Sequence, residues 1–384
     1  MSLLLPGRDG SRHRFSFTGA PAWLPPAEGF SSRIAFAAAH VIPRVEADNV
    51  PGRPADIDWD ATLAFRHHLW SHGFGVAEAM DTAQRGMGLD WDACQQLIRR
   101  SSAEAVAGGH RIATGVGTDH LPPGASLGQV VDGYLSQLEV TLQAGAQPIV
   151  MASRHLAAVA SGPEDYVRVY ARVLATSDRP VILHWLGTMF DPALAGYWGS
   201  SDLDAATDTF VDLVSAHADR VDGVKVSLLD AEHEVSLRRR LPAGVRLYTG
   251  DDFNYAELIR GDGQLHSDAL LGAFAAIAGP AAAALAALDA GDLQRYDQVM
   301  GATVPLSRQV FAAPTFHYKT GIAFVAWLTG HQRGFQMVNG QHAGRSIVDL
   351  AETARLADAA GIIHDVDLAE RRLGALLTVA GVDQ

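Results

Sequence analysis

The chain has 384 residues, 48% of them apolar and 19% charged, enough for two average domains or one large barrel with extensions, and too apolar for disorder. Its formal net charge of −13 argues against a nucleic-acid partner, because phosphate contact needs a basic face. A single cysteine, Cys94, excludes an internal disulfide framework and a cysteine-rich zinc site. No stretch reads as a membrane span or secretory signal, so a cytoplasmic protein without a membrane partner is expected.

In chain order, residues 1–30 read as a peripheral N-terminal extension, in which "HRFSFTG" alternates like a short strand and "APAWLPPAEG" is a Pro-rich connector. A repeating pattern follows, of a short β-branched or apolar run, a polar loop, then a helix-like stretch. The candidate strands are "SRIAFAAAHV", "GFGVAEAM", "HRIATGVGT", "QPIVMAS", "PVILHWL", "VDGVKVS" and "VRLYTG", with a less distinct eighth in "SDALLGAF". Between them lie helical patterns such as "DWDATLAFRHHLWSH", "DWDACQQLIRRSSAEAVAGG" and "DAATDTFVDLVSAHA", the first two with Asp58 and Asp90 as N-caps. Eight strand–helix units across residues 31–280 predict an α/β fold, a (β/α)8 TIM barrel with a parallel sheet. No GxGxxG or GxxxxGK[ST] follows any strand, which weakens a nucleotide-binding alternative. The strand signal stops near residue 280, and residues 281–384 read as a helical C-terminal region.

In such barrels the reactive residues gather at the carboxyl ends of the strands. Those ends carry His40, Glu78 with Asp81, Thr118-Asp119-His120, Ser153-Arg154-His155, His184, Lys225 with Ser227, and Thr249 with Asp251-Asp252. Lys225 stands out, being one of only two lysines among 30 basic residues. Strand parity puts Val224 and Val226 on one face and Lys225 and Ser227 on the other, so Lys225 should point into the barrel. Desolvation there would lower its pKa and present a neutral amine to a carbonyl group, which arginine cannot do. The bland alternative is a lysine retained by chance and paired with an inward carboxylate. The second lysine, Lys319 in "PTFHYKTGIAFVAWL", is expected near a helix start outside the barrel, solvated or in a packing role.

The 16 histidines raise the possibility of a metal, drawn from His40, Glu78, Asp81, Asp119, His120, His155 and His184, yet no HxH or HExxH spacing occurs and no cofactor is called for. His67 and His68 read as surface residues of a helix. Asp251-Asp252 could serve as acid/base groups, or cap the helix in "DDFNYAELIR".

The order of these motifs resembles the dihydrodipicolinate synthase/N-acetylneuraminate lyase family of class I aldolases, as a divergent branch, from about residue 32 to 330. "GVKVSLLD" is similar to that family's Schiff-base lysine strand and "LYTGDD" to the strand after it. "GFGVAEAM" stands where the family has a G-T-T-G-E loop, and "LDAGDLQRYDQVM" and "YKTGIAFVAWLTG" resemble its later helices. Two departures are visible. Val76-Ala77 replace the paired threonines that bind a 2-oxo acid carboxylate, and "MASRHL" occupies the place of the proton-relaying tyrosine.

The resemblance implies a homo-oligomer (dimer or tetramer) and a lyase that forms a Schiff base through Lys225 with a small carbonyl compound, a keto-sugar or an oxo acid. His184 or His155 would then move protons. Glu78, Asp119, Arg154, Ser227, Asp251 and Asp252 would contact substrate, with Arg154 suited to an anionic group. Polar strand ends with few cations favour a hydroxylated, sugar-like compound. The alternatives are a metal-dependent isomerase, epimerase or hydrolase on the same barrel, and a homologue that binds a ligand without turning it over.

Overall fold

The computed structural model describes residues 2–27 and 29–382. A hairpin of β1 (Leu3–Pro6) and β2 (Arg12–Phe15) precedes eight strands: β3 (Ala35–Ala38), β4 (Gly75–Glu78), β5 (Ile112–Val116), β6 (Gln147–Val150), β7 (Val181–Leu186), β8 (Val221–Ser227), β9 (Arg246–Thr249) and β10 (Asp268–Leu271). β3 to β10 pair in parallel, each with the next, and β10 returns to β3, so the sheet closes into a barrel. The helices between the strands are α1 (Trp59–Ser71), α2 (Trp91–Gly108), α3 (Leu127–Gln143), α4 (Arg154–Val159), α5 (Pro163–Thr176), α6 (Leu203–Ala216), α7 (Ala231–Arg240) and α8 (Tyr255–Arg260). After the barrel come α9 (Ala278–Asp289), α10 (Leu293–Val310), α11 (Tyr318–Leu328), α12 (Ile347–Ala359) and α13 (Val366–Val379). The (β/α)8 barrel and its added helices are therefore as the hydrophobic periodicity predicts. Asp58 and Asp90 cap α1 and α2, accepting from Ala61 N at 3.0 Å and Ala93 N at 2.8 Å.

Side-chain alternation sorts each strand between two apolar layers. Phe36, Ala77, Ala113, Ile149, Ile182, Tyr248 and Leu270 fill the lumen. Leu183, Trp185, Val224 and Val226 belong instead to the layer shared with α3, α5 and α6. Val224 and Val226 thus face the helices, and the intervening Lys225 is left facing inward.

The N-terminal segment is less peripheral than its composition suggests. Alternation along β1 puts Leu3 and Leu5 on one face, which is buried in the core formed with the C-terminal helices, against α12 and α13. Asp358 on α12 fixes the segment further on, accepting from Thr18 Oγ1 at 2.8 Å and Gly19 N at 3.0 Å. His67 is exposed as expected, whereas His68 is packed among His72 and His331, with ring centroids 4.6 and 4.3 Å apart. Among the described residues no helix is long and apolar enough to cross a membrane.

One buried carboxyl makes the fold sensitive to pH. Glu234 on α7 is buried against β9 and β10, accepting from Ser267 Oγ at 2.7 Å and Thr249 Oγ1 at 3.0 Å. Burial pushes its pKa up to about 8, against the hydrogen bonds that lower it. The native state therefore keeps a proton that the unfolded chain releases above about pH 4.3. The favourable contribution is complete below that value and is lost as pH rises through 8. Denaturant midpoints measured from pH 5 to 9 should fall with pH in the wild type, and Glu234→Gln should flatten that part of the decline.

Candidate active site

The carboxyl end of β8 places Lys225 between His184 of β7 and Tyr248 of β9, its register partners on either side. Its stem passes close to the next strand. A Cβ at Gly250 would overlap Ser227 Oγ and stand 2.9 Å from Lys225 Cε, so only glycine leaves room there. Lys225 is buried, at 9% exposure, and its amine makes no hydrogen bond or ion pair among the described residues. Burial lowers its pKa, while the carboxylates of Asp252 and Asp81 oppose the shift from outside ion-pairing distance. Asp252, beyond β9, is held by Ala273 N at 2.9 Å. Burial raises its pKa, and the charge of Lys225 works the other way. Burial thus disfavours the charged form of both groups.

His184 is fully buried beside the lysine. Its Nε2 lies 3.2 Å from Ser227 Oγ, and its Nδ1 has no partner. Burial, helped by the charge of Lys225, holds its pKa far below the ordinary histidine value, so the ring is neutral. Lys225, His184, Ser227 and Asp252 thus form one group, as the strand ends predict.

The turn after β4 supplies a second set. Ala79 takes a left-handed φ of 51°, a 3-10 turn spans Asp81–Ala83, and Gln84 is left-handed again at φ 64°. The tight winding costs backbone strain. It carries Asp81 and Thr82 over the strand ends. The Asp81 carboxylate has no hydrogen bond or ion pair among the described residues. Thr82 Oγ1 lies 2.8 Å from the hydroxyl of Tyr318, the first residue of α11. That ring is stacked on Phe311, with centroids 4.4 Å apart and planes at 14°, and Phe190 meets it edge-on. Burial pushes the Tyr318 pKa far up, and Asp81 and Asp252, the carboxylates beside Lys225, add to the shift. The hydroxyl is therefore protonated and close to the same charges as the amine.

Asp81 also lines a cavity of about 150 Å³, together with Thr118, Asp119, Ser153, Arg154 and His155 among others. Thr118 Oγ1 lies 2.5 Å from Ser153 Oγ and 3.1 Å from His155 Nδ1. Arg154 pairs with Asp191 at the rim. Asp119 pairs with Arg85 at 2.8 Å and also accepts from Gln137 Nε2. Burial would raise its pKa, but the guanidinium prevails and holds it below the usual carboxylate value.

Two expected site residues are placed elsewhere. Glu78 faces outward from β4 into a fully buried bidentate pair with Arg66 of α1, both contacts 2.8 Å, so no substrate reaches it. The parity that aims Lys225 inward aims Glu78 outward, since Ala77 takes the lumen position. Asp251 caps the turn into α8, accepting from Phe253 N at 2.9 Å and Asn254 N at 3.0 Å. Lys319 is not solvated. Its amine is buried, donating to Phe316 O at 2.7 Å and Met87 Sδ at 3.0 Å, and burial lowers its pKa to about 8.

The histidines and carboxylates considered as metal ligands are dispersed. Among the described residues no three His, Cys, Asp or Glu side chains sit close enough to hold an ion. His40, for example, bonds Gln332 Oε1 at 2.9 Å, and His120 is held by Gln137 Nε2 at 2.7 Å. The groups missed by sequence reasoning are Thr82, Arg85 and Tyr318. The one local signal for Tyr318 was its place next to the second lysine in an otherwise apolar helix.

The molecule is thus a (β/α)8 barrel with an unpaired, buried amine at the carboxyl ends of its strands. The chain belongs to the family described as "Protein of unknown function (DUF993)", whose model matches residues 3–382. No curated protein matches it. Among solved structures it is similar to dihydrodipicolinate synthase from Aquifex aeolicus, at 13% identity over 86% of this chain and 99% of that one, with a TM-score of 0.65. The enzyme from Oceanobacillus iheyensis is 17% identical over 86% and 97%, TM-score 0.63. YagE, an E. coli K12 prophage protein of the dihydrodipicolinic acid synthase family solved in complex with pyruvate, is 14% identical over 92% and 99%, TM-score 0.64. The solved structures that it resembles are thus of the family that the motif order resembles, and the likeness is one of fold.

Glu78 should behave as a structural residue. Glu78→Ala leaves Arg66 buried without its counter-ion, and urea unfolding should show a loss of about 3–5 kcal/mol.

Proposed function

We propose that the protein is a Schiff-base-forming lyase or aldolase acting on a small carbonyl compound, a keto-sugar or an oxo acid, with Lys225 as the nucleophile. The observation that carries this reading is the Lys225 amine itself, desolvated, free of hydrogen bonds, and near two carboxylates that stop short of an ion pair. A lysine kept for structure would be paired. The pyruvate complex of the similar YagE supports a carbonyl ligand.

In this mechanism the neutral amine attacks the carbonyl carbon. A C–N bond forms, the carbonyl π pair moves to oxygen, and loss of water leaves an iminium ion. In C–C cleavage the iminium accepts the electron pair of the breaking bond. In C–O cleavage it accepts the pair of the α C–H bond, whose proton passes to a carboxylate, and the enamine then expels the oxygen, which leaves with its own pair as water. In a retro-aldol cleavage the proton of the β-hydroxyl passes to a carboxylate, Asp252 or Asp81. The enamine is then reprotonated on carbon, and water hydrolyses the resulting iminium to free the amine. The neutral ring of His184, through Ser227, offers hydrogen bonds on one side of the amine. On the other, Tyr318 with Thr82 takes the part of the missing proton-relaying tyrosine.

Borohydride reduction in the presence of candidate carbonyl compounds should give an adduct that mass spectrometry locates on Lys225 and not on Lys319. Lys225→Met should abolish it, and Tyr318→Phe should slow its formation by about 10²-fold or more, the lower end of the range for a general acid–base group. Absence of any adduct on Lys225 with oxo acids and hydroxyketones alike overturns the proposal.

A further inference from the structure

We infer that the substrate is an uncharged, polyhydroxylated ketone or aldehyde, that Asp81 reads neighbouring hydroxyl groups on it, and that 2-oxo acids are disfavoured. The inference rests on the Lys225 reading and names the substrate of that same site.

It comes from the charges of the cavity wall and what each is bonded to. Three carboxylates, of Asp81, Asp119 and Asp191, face two guanidiniums, of Arg85 and Arg154. Arg85 has five N–H groups, and they are spent on four hydrogen bonds and an ion pair. Nε donates to Asp119, one terminal nitrogen to Gly115 O at 2.5 Å and Ala79 O at 3.3 Å, and the other to Gln137 and Asp119. It is buried at 4% exposure and has nothing left for a ligand. Arg154 is paired with Asp191, and its side chain is 56% exposed at the rim, where water screens it. Lys319 is sealed off at 2% exposure. Two backbone donors at the wall are also occupied, Gly117 N by Gln137 Oε1 at 2.6 Å and Ser153 N by the Tyr197 hydroxyl at 2.9 Å. A substrate carboxylate would therefore meet a wall with a surplus negative charge and no free buried cation. That is an uncompensated burial of charge.

The unused groups are of the opposite kind. The Asp81 carboxylate has two oxygens and no partner, and a carboxylate only accepts. The natural complement is a pair of hydroxyl donors on adjacent carbons. The hydroxyls of Thr118 and Ser153 and the imidazole of His155 line the same wall and can both donate and accept, which suits a chain of hydroxyl groups. The Thr82–Tyr318 pair adds two more hydroxyls next to Asp81.

The test uses erythrulose, an open-chain ketotetrose with a vicinal diol, against pyruvate and 2-oxobutanoate. In the wild type, borohydride trapping on Lys225 should be roughly tenfold or more faster with erythrulose, the scale of a charge-assisted hydrogen bond. Asp81→Asn keeps the shape and removes the charge, so the erythrulose rate should fall about tenfold relative to the oxo acids. Equal or faster trapping of pyruvate in the wild type, or an unchanged ratio in Asp81→Asn, overturns the inference. A thermal-shift series on Lys225→Met reads binding without the imine. If no compound is trapped but erythrulose alone raises the Tm of this variant, the Schiff-base reading fails and the substrate class stands. If neither trapping nor a shift is seen, both fail.

Discussion

The burial of one amine is the constraint around which the site is organised. A lysine ammonium moved out of water is unfavourable unless it is paired, and pairing would remove its nucleophilicity. The structure takes a middle course. Asp252 and Asp81 stand near enough to Lys225 to offset part of the desolvation, yet neither makes an ion pair with it. Asp252 is itself shifted upward by burial, so amine and carboxyl are drawn toward a common proton affinity. Gly250 gives the lysine stem its path, and the valines on either side anchor the strand to the outer helices, so the stem is held in place.

The arginines around it have the complementary task. Arg66 holds β4 to α1 through Glu78 and the carbonyls of His40 and Thr62. Arg85 ties the turn after β4 to β5 and α3 through four hydrogen bonds and its ion pair with Asp119. A planar fork that stays protonated suits such fixed anchors, because burial does not switch it off. Both lysines, in contrast, sit where burial depresses the amine, Lys225 free and Lys319 tied to Phe316 O and Met87 Sδ. The preference for arginine elsewhere in the chain is thus physically consistent with lysine at these two positions. Anchoring calls for a cation that is never neutral, and the site calls for one that can be.

What the sequence made legible follows from how local each feature is. The eight strands, two aspartate caps and the inward aim of Lys225 depend on alternation or on neighbours three residues apart, and these appear in the chain as written. Glu78 was legible too, had the rule used for Lys225 been applied to it, because Ala77 inside means Glu78 outside. Its likeness to a loop residue of another family hid that parity. Asp81 showed as polar at a strand end, but nothing local separates an unpaired carboxylate from a capping one such as Asp251. Tyr318 and Lys319 were out of reach for a different reason. Their roles depend on where α11 packs relative to Thr82 and Met87, more than 200 positions earlier, and helical periodicity carries no such information.

That long-range packing changes how the region after the barrel should be understood. The stacked rings of Tyr318 and Phe311, with Phe190 against them, join the loop after β7 to the helices beyond residue 300. α11 contributes a hydroxyl and an amine to the neighbourhood of Asp81, and β1 is buried in turn against α12 and α13. The barrel supplies the buried amine, while α11 packs against the turn that carries Asp81 and Thr82. Desolvation is what lowers the Lys225 pKa, so packing that excludes water bears on the state of the amine. Loosening α11 would withdraw Tyr318 from Thr82 and open the surroundings of Asp81 to water.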